Sequence, residues 1–253
     1  MVYVSPTINV LSLSVRKIGR RLIRDFNEIE NLQNSIKGTQ IFLLKTKTKL
    51  KKTIEFDLRK IKEDHEIFFL DEHQDITSDK AWLVDVINGT DNFQKAIPHF
   101  CIAVSLTEKQ ETIISVIYDP IKDELYCAQK GKGSYLNDYR LKLSENSSTN
   151  LSTISTSSLT YLNLNNTIKS ILDKFDQIRI FGSDLLDFCY LANGKFDAVV
   201  FHDKKNKKEI GKLISNEANA IIIENIGGTE YSIICNKNSE SKIRNILTEK
   251  VEI

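Results

Sequence analysis

The sequence has few of the residues that lock a chain by covalent or conformational constraint. Among its 253 residues are three prolines and four cysteines. No two cysteines stand in C-x-x-C spacing, so the sequence indicates reduced thiols and argues against a disulfide framework or a zinc site. The cysteines are Cys101, Cys127, Cys189 and Cys235. Stability must come from a hydrophobic core, for which a chain of this length is sufficient.

Long apolar runs and a large net charge are also missing. Unbroken apolar runs such as 41–44 fall far short of the roughly 18 to 20 residues that span a bilayer. Thirty-five basic and thirty-four acidic residues leave a net charge of +1, which argues against a surface built wholly for nucleic acid. With 41% hydrophobic and 27% charged residues, the composition is that of a globular protein. We therefore expect a cytoplasmic protein with no membrane span.

The N-terminal quarter of the chain carries a helical pattern. Apolar residues recur at steps of three and four between 8 and 36, which predicts one long amphipathic helix with Gly38 as its C-terminal cap. A second helix is predicted over 50–61, after an alternating run of Lys and Thr at 45–49. The basic residues of the first helix also resemble an organellar transit peptide, but a helix explains the same stretch better. The pattern of a secretory signal is not found.

The rest of the chain changes from strands to an alternation of strands and helices. Five strand-like runs lie between 67 and 128, and the alternation extends from 178 to a last helix, for which Ser239 is the predicted N-cap. The polar stretch 144–158 is a candidate seam. We predict a layered fold of the α+β or α/β class, with two halves in one compact unit. The two halves are 1–143 and 144–253.

One segment, 82–93, combines residues that suit catalysis. A strand delivers Asp85, and the chain must then turn sharply at Gly89 among carboxylate, carbonyl and amide oxygens. Such oxygens are the ligands that Mg²⁺ prefers. Gly89 and Thr90 could offer a backbone N–H and a hydroxyl to a phosphate oxygen. The alternative is an Asn-Gly turn that only joins two strands.

The same segment resembles the signature W-x-x-D-P-[I/L]-D-G-T-x-N-F of the inositol monophosphatase family. Further matches follow in the family's order along nearly the whole chain, and they are most similar to the bacterial SuhB branch. In the first half they lie at 98–100, 118–120, 124–126, 131–133 and 136–137. In the second half they lie at 182–183, 191–194, 197, 211–214 and 217–218.

The resemblance implies a fold, a reaction and partners. Members of this family have α-β-α-β-α layers and hydrolyse small phosphomonoesters such as inositol 1-phosphate, using Mg²⁺ ions at the junction of the two halves. A metal-bound water attacks phosphorus in line, while another cation stabilises the leaving alkoxide. The resemblance also implies a homodimer and, for the SuhB branch, a role with RNA polymerase in ribosomal RNA antitermination.

The resemblance also assigns roles to particular residues. The implied metal ligands are the carboxylates of Asp71, Glu72 and Asp85, the Ile87 carbonyl and the Asn88 side chain. Thr90 would position the attacking water, with Asp85 as the other catalytic residue. The implied substrate contacts are Ile87, Asn88, Gly89, Thr90, Gly182 and Ser183.

Several positions depart from the family pattern. Asn88 replaces the second aspartate of the signature, and Lys207 replaces the metal-binding aspartate of a W-D motif. A D-x-x-T-x-x-D segment aligns with Ile41, Leu44 and Lys47, so its acids and its threonine are missing. Two like charges about 4 Å apart repel by roughly 4 kcal/mol at an effective dielectric constant of about 20. The sequence therefore predicts weak or absent Mg²⁺ binding and impaired catalysis.

Three functions remain open at this point. The first is a working Mg²⁺-dependent phosphatase, in which Glu209 could serve as a substitute ligand. The second is a family member that has lost most of its chemistry and binds a partner such as RNA polymerase. The third is a phosphate sensor in which Lys47 and Lys207 neutralise the anion. The basic clusters 45–52 and 204–208 are interpreted as solvated faces, with contact to RNA or to an acidic partner as the alternative.

Overall fold

Two β-sheets, built one after the other along the chain, organise the fold. The structure is a computed structural model. It describes residues 5–32, 36–72, 78–109, 111–143, 152–156, 166–202 and 207–249. In these ranges the chain forms twelve strands, seven α-helices and two short 3₁₀ helices, Glu30–Leu32 and Ile226–Gly228.

The first sheet contains seven strands in chain order. They are β1 (Glu66–Phe69), β2 (Lys80–Asn88), β3 (Cys101–Glu108), β4 (Glu111–Asp119), β5 (Glu124–Gln129), β6 (Gly133–Leu136) and β7 (Tyr139–Leu141). β1 pairs parallel with β2, and all other neighbours pair antiparallel. β2 and β3 are almost wholly buried, because helices cover both faces of this sheet.

The second sheet contains five strands in the order β11-β12-β10-β8-β9. They are β8 (Thr153–Thr156), β9 (Gln177–Arg179), β10 (Ala198–His202), β11 (Ile221–Ile223) and β12 (Tyr231–Cys235). β8 pairs parallel with both β9 and β10, whereas β12 pairs antiparallel with β10 and β11. The sheet is therefore mixed.

The helices form three layers around the two sheets. They are α1 (Pro6–Ile29), α2 (Ile36–Ile61), α3 (Thr90–Gln94), α4 (Asn166–Leu172), α5 (Asp184–Ala192), α6 (Lys207–Asn216) and α7 (Lys237–Glu249). α1 and α2 pack on the outer face of the first sheet, α5 and α6 lie between the sheets, and α4 and α7 cover the outer face of the second. The predicted α-β-α-β-α fold is confirmed.

The first helical region differs from the sequence prediction. α1 ends at Ile29, and Gly38 lies in the first turn of α2, so the prediction of Gly38 as the cap of one long helix was wrong. The run 45–49 is also helical. Alternating Lys and Thr supply no apolar strand face, whereas Thr46 and Leu50, one helical turn apart, are both buried. The spacing of buried positions therefore decides the structure.

The last helix begins earlier than predicted. α7 starts at Lys237, and Asn236 Oδ1 accepts a hydrogen bond from the Ser239 backbone N–H at 2.9 Å. The prediction of Ser239 as N-cap was wrong, because Asn236 takes that position. Helix α3, helix α4 and strands β6 to β8 have no counterpart in the sequence prediction.

The chain passes from the first sheet to the second between Leu141 and Thr153. Residues 144–151 and 157–158 of the predicted seam lie outside the described part of the chain, so the division into two halves stays a prediction. Within the described ranges, no helix combines the length and the apolar character that crossing a membrane requires.

Candidate functional site

The C-terminal ends of β1 and β2 meet at one edge of the first sheet. The two strands run parallel with Phe69 opposite Val84, and the Leu70 N–H donates to the Val84 carbonyl at 2.9 Å. The acidic pair, Asp71 and Glu72, follows β1 directly. Parallel pairing therefore brings this pair beside the end of β2, where the signature segment makes its turn.

Gly89 allows the turn after β2. Its φ of +90° lies in the left-handed region, and a Cβ at this position would stand 2.9 Å from the His99 carbonyl oxygen. A side chain does not fit here. Thr90 then begins α3, and its hydroxyl donates to the Ile87 carbonyl at 2.9 Å. The carbonyl that the resemblance assigns to a metal thus accepts a hydrogen bond within the turn.

Asp85 and Asn88, both buried, form the centre of a polar network. Asp85 Oδ2 accepts a hydrogen bond from Asn88 Nδ2 at 3.1 Å, and Asp85 Oδ1 accepts one from the Ile87 N–H at 3.3 Å. On its other side, Asn88 Oδ1 accepts from the Ser183 hydroxyl at 2.8 Å and from the Leu185 N–H at 3.1 Å. The amide therefore joins the Asp85 carboxylate to the N-terminus of α5.

The loop before α5 carries the other predicted substrate contacts, Gly182 and Ser183. Ser183 is buried, and Gly182 has a φ of +77° with its Cβ position 3.1 Å from Asn92 Nδ2. Asn92 Nδ2 donates to the His99 carbonyl at 2.8 Å and to the Phe181 carbonyl at 2.7 Å. Through these two hydrogen bonds, Asn92 connects the chain after α3 to the loop before α5.

Two lysines of α2 neutralise the acidic pair. The Lys51 ammonium lies 2.6 Å from Asp71 Oδ1 and 2.6 Å from Glu72 Oε1, and the Lys47 ammonium lies 3.3 Å from Asp71 Oδ2. Less than a fifth of each lysine side chain is exposed, 16% for Lys47 and 18% for Lys51. The sequence pattern marks Lys47 but not Lys51. Its position one helical turn after Lys47, on the same face of a helix, is the signal that could have found it.

These contacts shift the pKa values of Asp71 and Lys51. Burial by itself raises the pKa of Asp71, but the hydrogen bond from Lys51 and the charges of both lysines hold it below its usual value. Burial by itself lowers the pKa of Lys51, but hydrogen bonds and charge from Asp71 and Glu72 hold it above its usual value. Both shifts favour the charged forms, so Lys51 and Asp71 form an ion pair at neutral pH.

Two of the other substituted positions lie on the surface of α2. Ile41 and Leu44 lie on α2 with exposed side chains. Lys207 is the first residue of α6. Its side chain lies outside the described part of the structure, so the position of its ammonium group stays a prediction. Among the substituted positions, Asn88 and Lys47 are those whose described side chains contact the carboxylates of the site.

The carboxylates of this site are engaged by other groups of the protein. An octahedral Mg²⁺ ion needs several oxygen ligands directed at one point. Here ammonium groups engage the acidic pair, and Asp85 accepts from an amide and a backbone N–H. Among the residues that the structure describes, no group of three or more His, Cys, Asp or Glu side chains is placed to hold a metal ion. The described carboxylates of the site take part in ion pairs and hydrogen bonds.

The protein has the α-β-α-β-α fold of the sugar-phosphatase type. The features that define this class are the five layers, the acidic strand end and the D-x-x-N-G-T turn that faces α5. The chain matches the profile of the inositol monophosphatase family over residues 4–237, and it belongs to that family. The Nus factor SuhB of Buchnera aphidicola subsp. Acyrthosiphon pisum is 32% identical, with 97% of each chain covered. The inositol-1-monophosphatase of Rhizobium meliloti is 31% identical, with 98% of each chain covered.

Solved structures show the same fold. The extragenic suppressor protein SuhB of Bartonella henselae superposes with a TM-score of 0.80 at 26% identity, covering 96% of this chain and 100% of that one. The IMPase of Thermotoga maritima superposes with a TM-score of 0.78 at 23% identity, covering 98% and 99%. The relatives are named either as phosphatases or as Nus factors, so membership of the family leaves both functions open.

Proposed function

We propose that this chain is a family member without Mg²⁺-dependent hydrolysis that acts in the cytoplasm as a binding protein. The proposed partner is RNA polymerase, in a role like the one that the name Nus factor gives to the SuhB relatives. A homodimer is part of the same proposal. The observation that carries it is the pairing of Lys51 with Asp71 and Glu72.

A cation at the acidic pair would have to displace the lysines or bind beside them. Lys51 holds one oxygen of each carboxylate, and Lys47 holds the second oxygen of Asp71. Two unit charges about 4 Å apart repel by roughly 4 kcal/mol at an effective dielectric constant of about 20, and a divalent ion doubles that figure. Because about 1.4 kcal/mol is a factor of ten in affinity, the repulsion weakens cation binding by orders of magnitude.

The signature turn has a structural role in this proposal. Asp85, Asn88 and Ser183 hold the end of β2 against α5, and Thr90 closes the turn onto the Ile87 carbonyl. These are the same groups that the resemblance directs at metal and phosphate. The turn keeps the shape of the signature while the protein itself engages its polar groups.

Hydrolysis of inositol 1-phosphate across a Mg²⁺ titration tests the loss of catalysis. We expect no turnover above the uncatalysed rate at any Mg²⁺ concentration, because the lysines keep the cation from the carboxylates. Turnover by the unaltered protein at millimolar Mg²⁺ would contradict the proposal.

Two variants identify the barrier to activity. Asn88→Asp combined with Lys207→Asp restores two acids but leaves the α2 lysines in place, and we expect it to remain inactive. Adding Lys47→Asp and Lys51→Ala removes the paired ammonium groups, so Mg²⁺-dependent turnover should appear first in this variant. Circular dichroism of both variants checks that they fold. Equal activity in the two would show that the lysines are not the barrier.

A pull-down with RNA polymerase over a range of salt concentrations tests the binding role. Salt screens charge attraction, since the Debye length falls from about 10 Å at 0.1 M to about 3 Å at 1 M. A specific complex should persist above about 0.15 M salt. Capture confined to lower salt would reduce the interaction to charge attraction and argue against the proposed partner. Sedimentation equilibrium of the isolated chain tests the homodimer.

A further inference from the structure

The outer face of α2 carries one continuous exposed stripe of basic and apolar side chains. Its members recur at steps of three and four, so they lie above one another on the helix. We call this set the basic stripe: Lys37, Ile41, Lys45, Lys49, Lys52, Phe56 and Lys60, all exposed. At a rise of about 1.5 Å per residue, the stripe is about 35 Å long. None of its members is acidic, and the partly exposed Glu55 beside it lies 3.7 Å from the Arg59 guanidinium.

The two-helix layer to which the stripe belongs is strongly charged. Helices α1 and α2 together contain thirteen Lys and Arg residues and four Asp and Glu residues. The rest of the chain contains twenty-two basic and thirty acidic residues, since the totals are thirty-five and thirty-four. The whole chain has a net charge of only +1 because the positive charge of this two-helix layer is offset by the negative charge of the other residues. Such a layer attracts polyanions.

Three lysines of the stripe have no ionic partner in the fold as far as it is described. Within the described part of the chain, Lys45, Lys49 and Lys52 form no ion pair. By contrast, the inward-facing Lys47 and Lys51 pair with the acidic residues after β1. The stripe lysines therefore remain available to bind an anion in solvent.

An exposed aromatic ring lies within the stripe. Phe56 is 59% exposed, and the Lys60 ammonium lies 4.0 Å from the centre of its ring. Proteins that bind single-stranded nucleic acid combine a row of cations along the backbone with aromatic rings on which bases stack. An acidic protein could also contact the ring, but a nucleic acid offers bases that stack on it beside a charged backbone that follows the cations. The combination favours a polynucleotide over an acidic partner.

We propose that the basic stripe binds a single-stranded polynucleotide, with Lys45, Lys49 and Lys52 along the phosphates and a base stacked on Phe56. This site lies on the solvent face of α2, away from the acidic pair. It goes beyond the proposed function, because it requires neither RNA polymerase nor the absence of catalysis. RNA and single-stranded DNA share the recognised chemistry, and the test separates them.

Fluorescence anisotropy with a labelled single-stranded RNA, and with DNA of the same sequence, measures binding over a salt series. We expect the Kd to rise steeply with salt, because each neutralised phosphate of a single strand contributes about 0.7 to the slope of log K against log salt. The variant Lys45→Gln, Lys49→Gln, Lys52→Gln should weaken binding at least tenfold and reduce the slope by about 2. Tighter binding of RNA than of DNA would identify RNA as the ligand, and equal binding would support the shared backbone chemistry.

A matched variant controls for total charge. Lys132→Gln, Lys169→Gln, Lys242→Gln removes three exposed lysines outside α1 and α2, and it should bind within about twofold of the unaltered protein. Equal weakening in both triple variants would overturn the proposal, because binding would then depend on total surface charge and not on the basic stripe. Absence of RNA and DNA binding at low salt would overturn it directly. Circular dichroism verifies the helix content of each variant.

Phe56→Ala isolates the stacking contribution. It should weaken binding about fivefold or more while leaving the salt slope unchanged, because stacking involves no counterion release. Polyglutamate serves as a polyanion without bases. If polyglutamate bound as tightly as RNA and Phe56→Ala had no effect, the stripe would be a surface for an acidic protein, and the proposal would be wrong.

Discussion

At the scale of single residues, Asn88 shows how the junction of the two sheets is held together by protein groups. Its amide donates to the Asp85 carboxylate and accepts from Ser183 and Leu185. An ionised aspartate can only accept, so at this position it would face Asp85 as a second buried carboxylate. The neutral amide satisfies both sides at once.

The Asn88→Asp variant should therefore be less stable than the unaltered protein at neutral pH. We expect the free energy of unfolding to fall by about 2 to 4 kcal/mol, because two buried carboxylates repel each other and a hydrogen bond is lost. Urea denaturation measures this difference.

The repulsion in Asn88→Asp also has a pH signature. A neighbouring like charge raises the folded-state pKa of the new carboxyl above its unfolded value of about 3.9. Its protonated form is thus favoured in the fold, so the lost stability returns as pH falls towards about 4 and disappears as pH rises through the folded pKa. Asn88→Ala is the control, because it removes the hydrogen bonds without adding charge. The same loss at every pH in both variants would contradict the account.

Lys51→Gln tests the ion pairs. The pKa of Asp71 lies below its usual 3.8 and that of Lys51 above its usual 10.5, so their pairing stabilises the fold between those values. This stability is lost as pH falls through the folded pKa of Asp71 or rises through that of Lys51. At pH 7 we expect Lys51→Gln to lose about 1 kcal/mol, since the pair is partly exposed and screened.

The control for Lys51→Gln is Lys52→Gln. Lys52 is the next residue, is exposed, and forms no ion pair within the described ranges. Its replacement should leave the free energy of unfolding within about 0.5 kcal/mol. Urea denaturation from about pH 3 to pH 8 compares the two, and Lys51→Gln should also flatten the loss of stability in acid. Equal profiles for the two variants would show that the ion pairs contribute nothing.

At the scale of elements, α2 shows how far sequence patterns reach. Apolar spacing predicts its second half correctly, from Leu50 onward. It does not predict the first half, because the polar alternation at 45–49 contains no apolar face to decide between helix and strand. There Thr46 donates to the buried Asp25 of α1 at 2.9 Å. That contact belongs to the packing of two helices, which no local pattern reveals.

The sequence predicts the candidate site only in part, as it does α2. The signature predicts the turn at Gly89 because the residues that make it are contiguous. The contact of Asn88 with Ser183 joins positions 95 residues apart, and the pairing of Lys51 with Asp71 requires α2 to pack beside the end of β1. The sequence thus predicts the turn and the acidic pair, but it does not mark Lys51. It does not predict their hydrogen-bond partners, because tertiary packing sets those.

The assignment of Asn236 as the N-cap of α7 can be tested by mutation. Asn236 caps the helix through the Ser239 N–H and also donates to Asp197 Oδ1 at 2.8 Å. Asn236→Ala should lower the free energy of unfolding by about 1 to 2 kcal/mol, because both hydrogen bonds are lost. Lys242→Ala, at an exposed position of the same helix, should cost less than about 0.5 kcal/mol. Urea denaturation compares them, and similar losses would contradict the assignment of the cap.

At the scale of the whole molecule, two asparagines connect the end of β2 and helix α3 to the loop before α5, which belongs to the helix layer between the sheets. Asn88 accepts from Ser183, and Asn92 donates to the Phe181 carbonyl. Both reach the loop before α5, in which Gly182 has a positive φ and lies against the Asn92 amide. The fit of this loop is therefore a test of how the two sheets are joined.

Gly182→Ala should destabilise the protein more than Gly194→Ala. The two glycines have φ values of +77° and +69°, so alanine costs about 1 kcal/mol in backbone strain at either position. At Gly182 a Cβ would also stand 3.1 Å from Asn92 Nδ2, whereas at Gly194 nothing lies within 4 Å. We expect an additional loss of about 1 kcal/mol for Gly182→Ala in urea denaturation. Equal losses would show that the loop is not held against Asn92.

In the proposed function, lysines and an asparagine of this chain take the place of divalent cations at the acidic ends of β1 and β2. Isothermal titration calorimetry of Mg²⁺, with the unaltered protein beside a Lys47→Gln, Lys51→Gln variant, tests it most directly. The account predicts no saturable binding to the unaltered protein in the millimolar range and measurable binding to the variant, whose carboxylates have lost their ammonium partners. Saturable binding of equal affinity to both proteins would contradict it.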